Sequence, residues 1–204
     1  MIKIIAFELW NVLIEKQGKD VVKEIMKAFN VEDKLVFNRK FLELYLSKAW
    51  FSKADAYREI CIDNHIEPTE ENITKMTNIA NKNMQSITIY PHSKELLDTF
   101  RKSGLQLALI SNSSNFSINL VKENTKILEL FDYNVFSYEN GTTKPDEKMF
   151  TTLLKITNIA PDEILYIDAN KTDCKVAKSL GFNTIVYKDY EQLKKDLEKY
   201  SIIL

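Results

Sequence analysis

Glycine and proline are scarce, four of each in 204 residues. That excludes a collagen-like or low-complexity chain and leaves each of them as punctuation between elements. Cysteine is scarcer still. Cys61 and Cys174 lie far apart, with no second ligand at metal spacing. A disulfide scaffold and a zinc ribbon are therefore excluded, and the pair reads as free thiols in a reducing compartment. Neither sign of charge is in excess: 28 Lys and Arg stand against 29 Asp and Glu, a net charge of -1. Such a balance offers no footprint for nucleic acid and no polybasic anchor for a membrane. The apolar start, MIKIIAFELWNVLI, is too short to span a bilayer, is interrupted by Lys3, Glu8 and Asn11, and has no cleavage site after it. The expectation is a cytoplasmic monomer or homodimer.

What is present is an ordinary globular balance, 45% hydrophobic and 28% charged residues. At this length it fits one domain with a modest insert and a sizeable core. Lys3 to Leu9 is a nearly continuous apolar run, the pattern of a strand buried on both faces of a parallel sheet. Helical periodicity then occupies about 20–29, 38–50, 53–64 and 69–85, so 15–85 reads as a purely helical block without a strand. After Tyr90-Pro91 the pattern alternates. A helix over 93–103 stops at Gly104, a strand covers 105–111, and a helix follows with Asn112 to Asn115 as cap material. Strands at 133–136, 164–168 and 183–187 are separated by helices at 146–157 and 172–180, and 190–200 is a last helix. Alternation of this kind predicts an α/β fold with a doubly wound parallel sheet. The helical block becomes a small cap over the carboxyl edge of the sheet, where such folds bind ligands.

Four segments end strands or start loops at that edge: FELWNVLI (7–14), LISNSS (109–114), TTKPDEKMF (142–150) and YIDANKTD (166–173). They gather Glu8, Ser111, Asn112, Lys144, Asp168, Asn170 and Asp173. Carboxylates, a hydroxyl and a lysine in one crevice suit a small anionic molecule, with helix-start amides near Asn112 to hold an oxyanion.

The order and spacing of these segments resemble the haloacid dehalogenase-like (HAD) hydrolase superfamily over nearly the whole chain. The start is similar to the FDLGNVL form of small sugar-phosphate phosphatases and of the amino-terminal domain of soluble epoxide hydrolases. LISNSS looks like motif two with Ser111 in the hydroxyl position, Lys144 like the motif-three lysine, and YIDANKTD like motif four. The resemblance implies a Rossmann-like core over 1–14 and 86–204 with a helical cap over 15–85.

Three positions depart from the family pattern. Glu8 stands where the family carries its nucleophilic Asp, and Trp10 where many family phosphatases carry an acid–base Asp. Ala169 stands where they carry a magnesium-ligating Asp. A carboxylate displaced by ~1 Å costs ~10²-fold, and lost acid–base help another ~10²–10⁴-fold. Together these amount to about 5–8 kcal/mol of barrier. A magnesium site would have to be rearranged onto Glu8, Asp168 and Asp173; otherwise no cofactor is expected. The metal-free 2-haloacid dehalogenases of the same superfamily are similar at other points. They carry an aromatic residue at the Trp10 position, an Asn and an Asp in the register of Asn170 and Asp173, and a halide-holding arginine at about the distance of Arg39.

The expectation is a HAD-like hydrolase that is weak or inactive as a phosphatase and binds a small anionic molecule through Asn112, Asn170 and Arg39. The alternatives are an active hydrolase using Glu8, Trp10, Ser111 and Lys144, and a protein-interaction module presenting residues 37–51. Each residue also has a structural reading. Glu8 would pair with Lys144, Trp10 would fill space, Ser111 would cap a helix, and Asn170 and Asp173 would organise a turn. Arg39, His65 and His92 would be surface residues.

Overall fold

The computed structural model describes residues 1–15, 20–83 and 87–204. Strand β1 (Ile4–Phe7) is buried along its whole length. The two-residue strand β2 (Ile14–Glu15) follows, then helices α1 (Val21–Ala28), α2 (Lys34–Leu46), α3 (Lys53–Asp63) and α4 (Glu70–Asn83), and strand β3 (Thr88–Ile89). Alternation then sets in with α5 (Pro91–Lys102), β4 (Gln106–Ser111), α6 (Asn115–Asn124), β5 (Tyr133–Phe136) and the one-turn α7 (Ser137–Asn140). The chain ends with α8 (Glu147–Thr157), β6 (Ile164–Asp168), α9 (Lys171–Ser179), β7 (Asn183–Val186) and α10 (Tyr190–Glu198).

The five long strands form one parallel sheet in the order β5–β4–β1–β6–β7. The chain leaves β1 toward β4 and β5, then crosses back to β6 and β7. The order thus reverses at β1, which opens a crevice at the carboxyl ends of β1, β4 and β6. Strand periodicity divides the core between the two faces. Ile5, Phe7, Leu107, Leu109, Leu165 and Ile167 pack with Leu97 and Phe100 of α5, Ile118 of α6 and Leu193 of α10. Ile4, Ala6, Ala108, Ile110, Ile164 and Tyr166 pack instead with Met149, Phe150 and Leu153 of α8 and Cys174 and Ala177 of α9.

Helices α1 to α4 bury an apolar cluster of their own, including Ile25, Phe41, Tyr57, Ile60, Ile73 and Met76. The stretch expected to be free of strands differs at its first residue. Glu15 lies in β2, which pairs antiparallel with β3 through Ile14–Ile89 and Glu15–Thr88. A two-residue ladder is too short to leave a periodic signal. The expected junction at 85/86 lies outside the described residues, as do positions 84 and 85 at the end of the fourth expected helix. Helix α2 starts a turn earlier than its apolar periodicity suggests, because the Asp33 carboxylate caps it by accepting from Val36 N at 3.0 Å. It ends at Leu46, and Trp50 lies beyond it in a loop. The Asn115 side chain holds that loop, accepting from Trp50 N at 3.2 Å and donating to Trp50 O at 2.9 Å. In the aromatic stretch 37–51, Phe37, Phe41 and Trp50 are buried, while Phe51 is fully exposed. Among the described residues no helix is long and apolar enough to cross a membrane.

Candidate active site

The crevice is centred on Lys144, which β-sheet geometry and a loop bring among three carboxylates. Glu8 follows β1 directly and continues the parity of Ile4 and Ala6, so it emerges on the α8–α9 side of the sheet. Asp168 ends β6 two residues after Tyr166 and shares its face. Lys144 enters from the loop before α8, and its backbone is held by Asn112. The Asn112 Oδ1 accepts from Lys144 N at 2.7 Å, and its Nδ2 donates to Lys144 O at 3.0 Å.

An ammonium has three protons to give. Those of Lys144 go to Glu8 Oε2 at 2.5 Å, Tyr166 OH at 2.6 Å and Asp168 Oδ2 at 2.6 Å. Asp173 Oδ2 lies 3.5 Å away. The Lys144 side chain is 1% exposed. Burial pushes its ammonium down, but Glu8, Asp168 and Asp173 together outweigh burial and hold it above the ordinary lysine value. The Tyr166 hydroxyl donates to Asp168 Oδ2. Burial and then the Asp168 and Glu8 charges push that phenol well above its usual range, so it stays protonated.

Glu8 has little freedom. Its Oε1 accepts from Leu9 N at 2.7 Å, Trp10 N at 3.2 Å and Ser111 Oγ at 2.5 Å. Ser111 therefore serves the carboxylate, and it is Ser114 that caps α6 through a capping box with Ser117. Trp10 is half-buried and donates its indole N–H to Ser113 Oγ at 2.8 Å. Asp168 Oδ1 accepts from Asn170 N at 2.8 Å.

Of the expected binding residues, Asn112 and Asn170 touch this cluster through the backbone and Arg39 lies outside it. The Asn170 side chain caps α9, accepting from Thr172 N at 2.8 Å. The Asn112 side chain is engaged with the Lys144 backbone, and it is the Asn112 N–H that turns toward Glu8 Oε2, at 3.5 Å. Arg39 is exposed and lines a cleft of about 700 Å³ between α2 and the 141–146 loop, with Lys40, Glu43, Asp63, Thr143 and Asp146. Glu8, Trp10, Ser111 and Lys144 do not line that cleft. His65 is exposed, but His92 is half-buried between the rings of Tyr90 and Tyr190. The residues that sequence reasoning missed are Tyr166, Ser113 and Ser137. The same-face spacing of Tyr166 and Asp168 on β6 was the available signal for the first.

Asp173 is 4% exposed, and its Oδ1 has no hydrogen-bond partner among the described residues. Burial pushes its carboxyl up to about 6; Lys144 pulls it back, while Asp168 and Glu8 push it further up. A carboxyl raised in the folded state binds its proton more tightly there than in the unfolded chain. The stability it contributes is present below the ordinary Asp value of about 3.9 and is lost as pH rises to about 6. Asp173→Asn, which stays neutral, is therefore expected to become progressively more favourable relative to wild type across that window. Urea unfolding of both proteins at the two ends of the window checks this; an unchanged difference contradicts it. Among the described residues no group of three His, Cys, Asp or Glu side chains is arranged to hold a metal ion.

A family model described as haloacid dehalogenase-like hydrolase matches residues 36–187. Over 113 residues the chain is 31% identical to acyl-CoA dehydrogenase family member 10 of Mus musculus, covering 53% of this chain and 10% of that protein. Over 96 residues it is 27% identical to an (S)-2-haloacid dehalogenase of Pseudomonas putida, covering 47% of this chain and 42% of that one. The chain thus spans less than half the length of these curated relatives. Among solved structures, a HAD family enzyme of Bacteroides thetaiotaomicron in complex with magnesium and inorganic phosphate superposes with a TM-score of 0.67 at 21% identity. That match covers 95% of this chain and 99% of the other.

Proposed function

As the chain belongs to the haloacid dehalogenase-like hydrolase family, we propose that it is a branch in which metal-assisted phosphoryl transfer is lost or reduced to a trace. On this reading the crevice takes a small molecule without turning it over efficiently. The observation that carries the reading is the saturated Lys144 ammonium. With its protons committed to Glu8, Tyr166 and Asp168, none is left for a phosphate oxygen. Three carboxylates around one ammonium also give the crevice a negative balance, which repels a phosphate dianion. A neutral or singly charged ligand fits that balance better.

Magnesium asks for near-octahedral oxygen geometry with one or two carboxylates turned toward it. Glu8 Oε1 already accepts three donors, Glu8 Oε2 and Asp168 Oδ2 hold Lys144, and Asp168 Oδ1 holds Asn170 N. Among the described residues Asp173 Oδ1 has no hydrogen-bond partner, and Ala169 brings no side-chain oxygen. This donor set does not fit a magnesium ion while Lys144 occupies its centre. Trp10 adds no acid–base group, because an indole N–H donates only.

The test is p-nitrophenyl phosphate turnover with and without magnesium. Equal rates, both at background, are expected. Magnesium-stimulated turnover that disappears in Glu8→Gln overturns the reading. A second reading, metal-free attack of Glu8 on carbon, is favoured by the 96-residue match to an (S)-2-haloacid dehalogenase. Chloride release from a 2-chloroalkanoate by wild type, abolished in Glu8→Gln, would select it.

A further inference from the structure

A directed hydrogen-bond chain runs from the Trp10 indole to Glu8. The indole only donates, and the ion-paired carboxylate only accepts. The chain therefore has one polarity. Trp10 Nε1–H donates to Ser113 Oγ at 2.8 Å, the Ser113 hydroxyl donates to Ser111 Oγ at 2.9 Å, and Ser111 donates to Glu8 Oε1 at 2.5 Å. Ser113 is the middle link, accepting and donating at once, and it is 1% exposed.

The backbone of Ser113 is fixed by a second serine. Ser113 N–H donates to Ser137 Oγ at 2.9 Å. The single hydroxyl proton of Ser137, itself fully buried, has two acceptors in reach: Leu46 O at 2.6 Å and Ser113 O at 3.1 Å. Leu46 is the last residue of α2, so the nearer acceptor belongs to the helical block. The nearer acceptor is Leu46 O, and the Ser113 carbonyl is the alternative for a hydroxyl that loses it. One hydroxyl thus has two discrete acceptors, one of them carried by α2.

We propose that Ser113 is a positioning residue which, through Ser137, couples the seat of α2 to the hydrogen bonds that hold Glu8. The consequence is that a ligand whose entry shifts the helical block would reset the carboxylate beneath it. The inference rests on the reading of Glu8 as part of the site, as above, but its readout does not depend on turnover, so the two readings fail separately.

The test is the indole N–H signal of Trp10 in 1H–15N spectra of the full chain, assigned by Trp50→Phe, which leaves a single indole. Ser113→Ala is expected to shift that signal and speed its hydrogen exchange by about tenfold, the loss of one neutral hydrogen bond. Ser137→Ala, which does not touch Trp10, is expected to shift it in the same direction by a smaller amount. Ser114→Ala, which removes the neighbouring helix cap, is expected to leave it in place. A Trp10 signal unmoved by Ser137→Ala, or moved as far by Ser114→Ala, overturns the coupling. Thermal melts of each variant confirm that the compared chains are folded.

Discussion

Lys144→Met is expected to cost about 3–5 kcal/mol of stability at neutral pH, because removing one partner of a buried ionic group leaves the others uncompensated. For a chain of this size that is about 6–20 °C in melting temperature. The physical ground is the geometry around Nζ. Glu8, Asp168 and Asp173 face one another across a single ammonium, and the side chain that carries it is 1% exposed. Methionine matches the four-atom stem of lysine but lacks the ammonium and its protons, so the three carboxylates repel at close range in a medium that screens poorly. The penalty is expected to shrink on acidification as Asp173, whose carboxyl burial already raises to about 6, takes up its proton. Urea unfolding of wild type and variant, at neutral pH and about pH 4, measures both effects. A loss below about 1 kcal/mol, the level of an exposed ion pair, would mean that the ammonium is not the keystone of the cluster.

The second large effect concerns metal affinity. Glu8→Asp combined with Ala169→Asp is expected to bind magnesium with a Kd of about 1 mM or tighter, about 4 kcal/mol of binding, where wild type is expected to show no saturable binding. Shortening residue 8 withdraws its carboxylate from Lys144 and from Leu9 N, Trp10 N and Ser111 Oγ. Position 169 directly follows β6 and is exposed, so an added carboxylate there meets no packed neighbour layer. Together they supply the two oxygens that the present donor set lacks. Calorimetry at millimolar magnesium decides it. Silence from the double variant would show that the scaffold around Ala169 no longer converges on the crevice.

Much of this architecture is legible in the sequence because its signals are local. The runs YNVF and ILYID become β5 and β6 over those same residues, since a buried parallel strand is simply a short apolar stretch between turn residues. Lys144 and Glu8 stand out because charges rarely lie beside such runs. Tyr166 does not stand out: inside a buried strand a tyrosine looks like any other large apolar residue until its hydroxyl is seen to meet a lysine 22 positions earlier. Ser113 reads as cap material, and its pairing with Trp10 joins residues 103 positions apart. No periodicity reports such a contact. Arg39 shows the converse. Its distance along the chain suggested the crevice, but the exposed face of α2 carries it to a different cleft.

The parity of β1 and β6 separates what anchors the charges from what lies above them. Glu8, Tyr166 and Asp168 share their side of the sheet with Ile4, Ala6 and Ile164, and so root the ionic knot in the layer of α8 and α9. Helices α1 to α4 bury a distinct apolar cluster. The apolar packing that roots the charges and the packing that holds α1 to α4 together are thus separate, and the Ser137–Leu46 hydrogen bond is one of the threads between them.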